Sequence, residues 1–450
     1  MVMNFNLRNI HRVQDEIVTL DELNVSKDII IKNARLFSPQ DGLDQVGDVL
    51  INAGGIIEKI GRDIDGLMAN VIDGHDLVLT TAFVDLHCHL REPGQTDKET
   101  IQSGLKAAAA GGFGVVCAMP NTSPTQDNAE VLQFVLNKTQ ESPVRLLPVA
   151  AMSQGRQGQQ LTDFETLCKS GAVAFSDDGC SLQDDTLAAK AFETAASGGY
   201  LIMEHCEDAL LTEGGQVNEG MIATRLGLKG IPAVAEENII KRDIDNCRRF
   251  GTRLHICHIS TSGAVALVRA AKKEGLKVTA EVTPHHLALD EKECLDYNTN
   301  AKVNPPLRAQ KDIDALIIGL NDGTIDAIAT DHAPHTAHEK DCEFAYAPFG
   351  ISGLETAFAL VNGLITAGRI SLATAIKALS VNPSAILDLP CGMKVGQKAN
   401  LVLLDLTEKW PVEVKDFKSR GHNTPLQGRK VQGRVKMTIA DGEVAYKEIH

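Results

Sequence analysis

Six histidine and aspartate side chains stand at the carboxyl ends of short apolar runs, where they could together hold a metal ion. Two of them, His87 and His89, close the run FVDLHCHL. Side chains alternate between the two faces of a strand, so these imidazoles point the same way, while Cys88 points to the other face as a buried small residue. Four more close later runs: Asp178, His205, His258 and Asp331.

Imidazole nitrogens and carboxylate oxygens are ligands that zinc prefers, so this set predicts a zinc site. Zinc lowers the pKa of its bound water from about 15.7 to roughly 7, which makes hydroxide available as a nucleophile at neutral pH. His255 lies three positions before His258. We expect it to face the opposite way and to pack outside the sheet.

Residues 81–391 alternate apolar, strand-like runs with helical segments such as KETIQSGLKAAAA. Apolar strands separated by helices indicate a parallel sheet covered by helices. Eight such runs favour a closed (β/α)8 TIM-type barrel over an open doubly wound sheet, and no G-x-G-x-x-G follows the first run. The runs are FVDLHCHL, FGVVCAM, VRLLPVAAM, AVAFSDD, YLIMEHCED, RLHICHI, KVTAEVTPHH and AIATDHA.

The polar residues fall at one end of these runs, and TIM barrels assemble their sites from the carboxyl ends of the strands. The spacing of the six side chains places them on strands one, four, five, six and eight. The step from strand five to strand six is long, which indicates an insertion there.

The two ends of the chain have a different pattern. Residues 28–80 and 392–450 are rich in short apolar, strand-like sequences. Asp441-Gly442 lies between two runs of alternating apolar residues and predicts a hairpin. We therefore expect a small, discontinuous β domain built from both ends. Residues 1–27 form an N-terminal extension to which we assign no role.

The composition of the chain disfavours several classes of function. The 450 residues carry a net charge of -15, which disfavours a nucleic-acid partner because phosphates repel an acidic surface. An anionic substrate stays possible, since metal ions and an arginine can reverse the local field. The ten cysteines form no C-x-x-C pair, and no signal peptide or long apolar run is evident. These features predict a cytoplasmic enzyme without a membrane segment.

Seven motifs in order resemble dihydroorotase of the bacterial class I type, within the amidohydrolase superfamily. The resemblance extends from residue 28 to the end, and includes SRGHNTPLQG (419–428), expected in the terminal β domain. Some amidohydrolases bridge two metals with a modified lysine on strand four. SDDG has none, which favours dihydroorotase over hydantoinase or dihydropyrimidinase. The motifs are DLHCHLREPG, MPNTSP, AFSDDG, MEHCED, HICHIST, KVNPPLR and TDHAPH.

The resemblance implies a function and a division of roles. The reaction would be the reversible cyclisation of N-carbamoyl-L-aspartate to (S)-dihydroorotate with loss of water, in pyrimidine (UMP) biosynthesis. One or two zinc ions per subunit would bind. His87, His89 and Asp331 would hold one, His205 and His258 the other, and Asp178 would bridge them. Asp331 would also be the general acid and base, and we read Asp177 as structural.

The resemblance also implies a set of substrate-binding groups. Arg91 faces the same side as His89 and could hold a carboxylate with its planar fork. A loop would offer backbone groups from Pro348 and Gly350. His285 and His286 could lie behind the ligands, a point left open. The predicted substrate-binding residues are Arg91, Asn121, Asn304, His335, Pro348, Phe349 and Gly350.

Two alternative functions stay open beside this one. Allantoinase, another cyclic-amide hydrolase, would tolerate removal of Arg91. A non-catalytic, dihydroorotase-like scaffold for aspartate transcarbamoylase would have lost metal ligands, whereas all six are present here. We expect a homodimer, and the resemblance also allows an active enzyme that associates with that transcarbamoylase.

Overall fold

The computed structural model describes residues 28–66 and 69–448. Its centre is an eight-stranded parallel barrel in which each strand pairs with the next along the chain. A bridge between Cys88 and His332, with His89 N donating to His332 O at 2.8 Å, joins the last strand to the first. The barrel strands are Phe83–Cys88, Phe113–Ala118, Arg145–Ala150, Ala174–Phe175, Leu201–Glu204, Arg253–Ile256, Val278–Val282 and Ala327–Ile328.

Helices with one apolar face cover the barrel. Ile101–Ala110 shows how they begin: Thr100 accepts from the N–H of Ser103 and so satisfies a free donor of the first turn. Its buried Ile101 and Leu105 join the main hydrophobic core. The α-helices are Ile101–Ala110, Ala129–Asn137, Phe164–Lys169, Asp185–Gly198, Ala209–Thr212, Met221–Leu226, Ala233–Phe250, Ser262–Lys273, Pro284–Ala288, Gln310–Asn321, Ala337–Lys340, Ala357–Thr366, Leu372–Ile376 and Asn382–Ile386.

A second eight-stranded sheet joins the two ends of the chain. Strand Val78–Thr81 runs parallel to Ile29–Ser38 and antiparallel to Leu401–Pro411, so it links the amino-terminal strands to the carboxyl-terminal ones. The predicted hairpin is confirmed, with positive φ at Asp441 (44°) and Gly442 (81°). The strands are Ile29–Ser38, Leu43–Ile51, Ile57–Gly61, Asn70–Asp73, Val78–Thr81, Leu401–Pro411, Lys430–Ala440 and Glu443–Lys447.

The predicted fold class, a (β/α)8 barrel with a β domain from both ends, is confirmed, while the exact domain boundaries stay predictions. The insertion between strands five and six contains a small sheet of Val217–Asn218 and Gly230–Ile231. Among the described residues, no helix combines the length and hydropathy needed to cross a membrane. The predicted extension, residues 1–27, lies outside the described residues.

The assignment of residues 419–428 to the terminal β domain stays a prediction. They contain no strand and form a connection between strands Leu401–Pro411 and Lys430–Ala440 of that domain. They lie against the segment that follows the last barrel strand, where Asn423 Nδ2 donates to Ala333 O and Gly350 O, each at 3.0 Å. The connection therefore links the terminal strands to the carboxyl-terminal side of the barrel.

Candidate active site at the carboxyl ends of the barrel strands

The six side chains predicted as metal ligands converge at the carboxyl-terminal rim of the barrel. They come from five strand ends, and none is more than 5% exposed. Asp178 lies at their centre. Its Oδ1 atom is 3.2 Å from His87 Nε2, 3.7 Å from His205 Nδ1 and 3.8 Å from His258 Nε2.

Two groups of side chains meet around that carboxylate. In one, Asp331 Oδ1 lies 2.9 Å from His89 Nε2 and 3.6 Å from His87 Nε2. In the other, His205 Nδ1 lies 2.9 Å from His258 Nε2. This arrangement supports the predicted division into two metal positions with Asp178 between them, and the individual roles stay predictions.

Each of three imidazoles donates its outer N–H away from the centre. His87 Nδ1 is 3.0 Å from Glu281 Oε1, His89 Nδ1 is 2.8 Å from Asn121 Oδ1, and His205 Nε2 is 2.8 Å from Glu207 Oε2. Outer partners of this kind fix the tautomer of a metal-binding histidine. The inner nitrogen of each ring then presents its lone pair to the centre.

The residues present fit a divalent cation. His87 Nε2 and Asp178 Oδ1 are buried and have no hydrogen-bond partner among the described residues. Burial opposes protonation of His87, yet the charge of Asp178 raises the pKa of His87 well above its usual value. Converging lone pairs and carboxylates in a buried space are the donor set that zinc binds.

The prediction for His255 is wrong. Its side chain is fully buried and bonds through Nε2 to Glu281 Oε2 at 3.0 Å, so it joins the carboxylate that supports His87. The alternation argument failed because strand Arg253–Ile256 ends before His258, which has a φ of +33°. The sequence analysis also missed Glu281, although it is the only charged residue in the apolar strand Val278–Val282.

Comparison with known proteins identifies the family. A family model described as "Dihydro-orotase-like" matches residues 76–264. A dihydroorotase from Caldanaerobacter subterraneus subsp. tengcongensis is 45% identical over 422 residues, which cover 93% of this chain and 97% of that relative. A dihydroorotase from Syntrophus aciditrophicus is 43% identical over 425 residues, or 93% of this chain and 99% of the relative. The chain belongs to the dihydroorotase family. It is a hydrolase of the cyclic amide class.

Solved structures share the fold of this dihydroorotase-family chain. An L-hydantoinase (dihydropyrimidinase) from Arthrobacter aurescens aligns with a TM-score of 0.84 and 23% identity, covering 94% of this chain and 97% of that one. A D-hydantoinase (dihydropyrimidinase) from Thermus sp. gives a TM-score of 0.78 at 23% identity, with 93% and 95% covered. At this identity the likeness concerns the barrel and its β domain alone.

The buried side chains of Arg91 and His335, which we call the recess, lie beside the six ligands of this dihydroorotase-family site, where Asp331 and Asp178 act on the charge of Arg91. Arg91 is 8% exposed, donates through Nε to Pro334 O at 3.2 Å, and lies 3.4 Å from His335 Nε2. Burial and then the charges of Arg91, Lys340 and Lys98 lower the pKa of His335 to about 2. The structure thus brings Arg91 and His335 together, in a positive field that suits a carboxylate.

The two predicted asparagines occupy different positions around the centre. Asn121 Nδ2 lies 3.4 Å from Asp178 Oδ2 and its Oδ1 holds His89. Asn304 Nδ2 donates to Glu207 Oε2 at 2.6 Å. Although burial opposes it, the hydrogen bond from His205 lowers the pKa of Glu207 to about 2. Sequence analysis missed Glu207, whose only signal is its position two residues after His205.

The predicted substrate loop is already bonded to the protein. Gly350 N donates to Lys302 O at 2.9 Å, and Phe349 O accepts from His335 Nε2 at 2.9 Å. The carbonyl of Pro348 accepts from Lys340 Nζ at 2.7 Å. A ligand reaching this loop therefore meets carbonyl oxygens, each with a second lone pair, and not the Gly350 N–H. The substrate roles of Pro348, Phe349 and Gly350 stay predictions.

The remaining residues considered in the sequence analysis are His285, His286 and Asp177. His285 and His286 are buried in the short helix after strand seven, and burial lowers the pKa of His285 to about 4. His286 Nε2 donates to Pro305 O at 2.9 Å, beside Asn304. Asp177 accepts from the N–H and hydroxyl of Ser153, which agrees with a structural role.

Three of the predicted site residues have a strained backbone. Positive φ angles occur at Arg91 (60°), His258 (33°) and Asp331 (45°), none of them glycine. Such a conformation costs on the order of 1 kcal/mol or more per residue and is concentrated at functional sites. These conformations occur two or three residues beyond the ends of their strands, where the chain leaves the barrel.

Proposed function

We propose that this protein is a zinc-dependent dihydroorotase that interconverts N-carbamoyl-L-aspartate and (S)-dihydroorotate, with water lost on ring closure. The observation that carries the proposal is the convergence of six buried imidazole and carboxylate groups beside the recess of Arg91 and His335. The substrate name comes from relatives at 43–45% identity. The recess supplies a chemical reason for it, because the ring of dihydroorotate carries a carboxylate.

The metal would be held by the ligands already described. His87 and His89 with Asp331 would bind one ion, His205 and His258 a second, and Asp178 would lie between them. A divalent ion bound there lowers the pKa of water toward neutrality and polarises a carbonyl. The rest of the chemistry falls to the side chains.

Asp331 is the group placed to move the proton. Burial would raise the pKa of Asp331, but the hydrogen bond from His89 and the charge of His87 hold it well below its usual range, so it is a carboxylate that can accept a proton. In hydrolysis it takes a proton from the attacking water and returns it to the ring nitrogen as the C–N bond breaks. In cyclisation it takes the proton from the ureido nitrogen.

Arg91, Asn304, Asn121 and His335 would fix the substrate while this happens. The carboxylate that is not consumed in ring closure would accept hydrogen bonds from the Arg91 guanidinium, which lies 3.4 Å from His335 Nε2. Holding the ring in place converts the attack into an intramolecular event, the main benefit of such positioning.

One assay tests the proposal. Purified protein is given dihydroorotate, N-carbamoyl-L-aspartate, allantoin and hydantoin, before and after chelation and after zinc is restored. We expect turnover of the first two only, lost on chelation and regained with zinc. Preferential turnover of allantoin would make the protein an allantoinase. Metal binding without turnover of any of the four would favour the scaffold alternative.

The proposal also includes the metal, the oligomeric state, a protein partner and the location of the enzyme. The identity of the ion as zinc and its number, one or two per subunit, are checked by elemental analysis of the purified protein. A homodimer is checked by light scattering, and association with aspartate transcarbamoylase by mixing the two proteins on a sizing column. Cytoplasmic location rests on the composition and cysteine pattern of the sequence and is checked by cell fractionation.

A further inference from the structure

Two buried lysines donate hydrogen bonds to the backbone of the loop of residues 341–350. Lys302 is 2% exposed and Lys340 is 5% exposed. A buried ammonium group is costly unless each of its donors is bonded. Burial accordingly lowers the pKa of Lys302 to about 8 and that of Lys340 to about 7.

The donors of Lys340 are satisfied by three backbone carbonyls. Its Nζ lies 2.7 Å from Pro348 O, 3.0 Å from Thr299 O and 3.4 Å from Lys302 O. The lysine thereby ties the far end of the loop to the segment that leads to Asn304.

Lys302 holds the other half of the loop. Its Nζ donates to Phe344 O at 2.7 Å and to Ala345 O at 3.1 Å, and it lies 4.6 Å from the centre of the Phe349 ring. Its carbonyl accepts from Gly350 N at 2.9 Å. Close packing leaves no room for a side chain at Gly350, where a Cβ would lie 2.7 Å from Ala333 O.

We propose that Lys302 and Lys340 are positioning residues that fasten the 341–350 loop in the arrangement that binds the substrate, an inference that rests on the proposed function. Two buried charges satisfied only by carbonyls are a poor means of stabilising a core, where apolar residues of similar size do as well. They are an effective means of fixing a loop that has no helix or strand of its own. The Lys340 ammonium binds Pro348 O, while the Lys302 ammonium binds Phe344 O and Ala345 O and lies over the Phe349 ring.

The 341–350 loop affects the recess through its contact with His335. Phe349 O accepts from His335 Nε2, the same nitrogen that lies 3.4 Å from Arg91, so the position of the loop helps to fix this ring beside Arg91. Lys340 also adds positive charge near His335. Releasing the loop would therefore weaken substrate binding more than the proton transfer at Asp331, which lies on the barrel rim itself.

The test compares Lys340→Met and Lys302→Met with Lys292→Met, a matched change at an exposed lysine that pairs with Asp290. For the two buried lysines we expect KM for dihydroorotate to rise about tenfold or more, the effect of losing roughly one charge-assisted hydrogen bond, while kcat changes less than about threefold. Zinc content and Tm relative to the Lys292→Met control should show that the barrel is intact.

Chymotrypsin supplies a second measurement that does not depend on activity. Tyr346, 79% exposed, is a cleavage point within the loop. We expect cleavage there to accelerate about tenfold in both variants, since a loosened loop opens more often. Unchanged KM and unchanged cleavage in both would overturn the proposal. Misfolding of both would also overturn it, because the lysines would then support the whole barrel.

The two proposals fail separately. If the wild type turns over neither dihydroorotate nor N-carbamoyl-L-aspartate, the proposed function is wrong, and the chymotrypsin experiment still decides whether the lysines fasten the loop. If the wild type is active and only the loop measurements are unchanged, the function stands and this inference is wrong.

Discussion

His87 Nδ1 lies 3.0 Å from Glu281 Oε1, and both side chains are fully buried inside the barrel. Because the carboxylate accepts at this nitrogen, the proton of a neutral His87 ring resides on Nδ1 and the lone pair on Nε2 faces Asp178. The second oxygen of Glu281 binds His255, which in turn lies 2.9 Å from Thr279 Oγ1. Two buried side chains, Glu281 and His255, and the half-buried Thr279 thus form a hydrogen-bonded chain behind the first predicted ligand.

Replacing Glu281 tests this support. Glu281→Gln keeps the shape of the side chain but removes the charge that holds the Nδ1 proton. We expect zinc affinity to fall about 10-fold to 100-fold, the range found for outer partners of metal-bound histidines. Competition with a coloured chelator measures the affinity directly.

Glu165→Gln, at an exposed pair with Lys169, is the matched control and should bind zinc like the wild type. Equal affinity in Glu281→Gln and the control would show that Glu281 only fills space. Because the affinity is read by a chelator, a loss of turnover alone would not count as support.

Replacing Asp331 tests the assignment of the proton carrier. Asp331→Asn keeps an oxygen for the metal but cannot accept the proton, so we expect kcat to fall about 100-fold to 10,000-fold, the usual contribution of a general acid or base. Steady-state rates in both directions are the measurement, with metal content determined on the same samples. Asp322→Asn, at an exposed pair with Arg269, is the control. Turnover that persists in a metal-loaded Asp331→Asn enzyme would move the proton transfer to another group.

The barrel and its rim could be predicted from the sequence because both depend on local patterns. Apolar strands alternating with helices predict a parallel barrel, and a polar residue at the end of each strand predicts which rim they share. His87, Asp178 and Asp331 follow from that rule. In the structure His87 Nε2 lies 3.2 Å from Asp178 Oδ1 and 3.6 Å from Asp331 Oδ1.

The remaining features depend on where the chain turns after a strand ends. His255 was misplaced because His258 lies beyond its strand, where two-residue alternation no longer applies. Glu281, Lys302 and Lys340 carry no spacing signal, since their partners are backbone carbonyls or distant side chains. Asn423 lies far along the chain, and only the three-dimensional fold brings it to Gly350.

Replacing Arg91 tests whether the recess recognises a carboxylate. Arg91→Lys keeps the charge and loses the planar fork, so we expect KM for dihydroorotate to rise roughly 10-fold to 100-fold, as for a lost charge-assisted hydrogen bond. The control is Arg248→Lys, at an exposed pair with Glu274. Steady-state kinetics provide the measurement. An unchanged KM would direct attention to allantoinase, whose substrate carries no carboxylate.

Glu355 gives a prediction about pH and stability. Its carboxylate accepts from the N–H of Lys418 at 2.8 Å and of Ser419 at 3.1 Å, where residues 419–428 meet the barrel. Burial raises the pKa of Glu355 to about 7, although these backbone donors oppose the shift. An unfolded chain would have a pKa of about 4.3 at this residue.

The raised pKa of Glu355 makes its contribution to stability depend on pH. Between about pH 4.3 and 7 the folded protein holds a proton on Glu355 that the unfolded chain has lost, so the contribution of this group to stability falls as pH rises and is constant above about pH 7. Glu355→Gln stays neutral and lacks this decline. We expect Tm of the variant relative to the wild type to rise by roughly 1–3 °C between about pH 5 and pH 8 in calorimetry. Using the difference between the two proteins cancels the titration of all other groups. If the Tm difference between variant and wild type stays constant or falls between these pH values, Glu355 is ionised in the folded protein throughout this range.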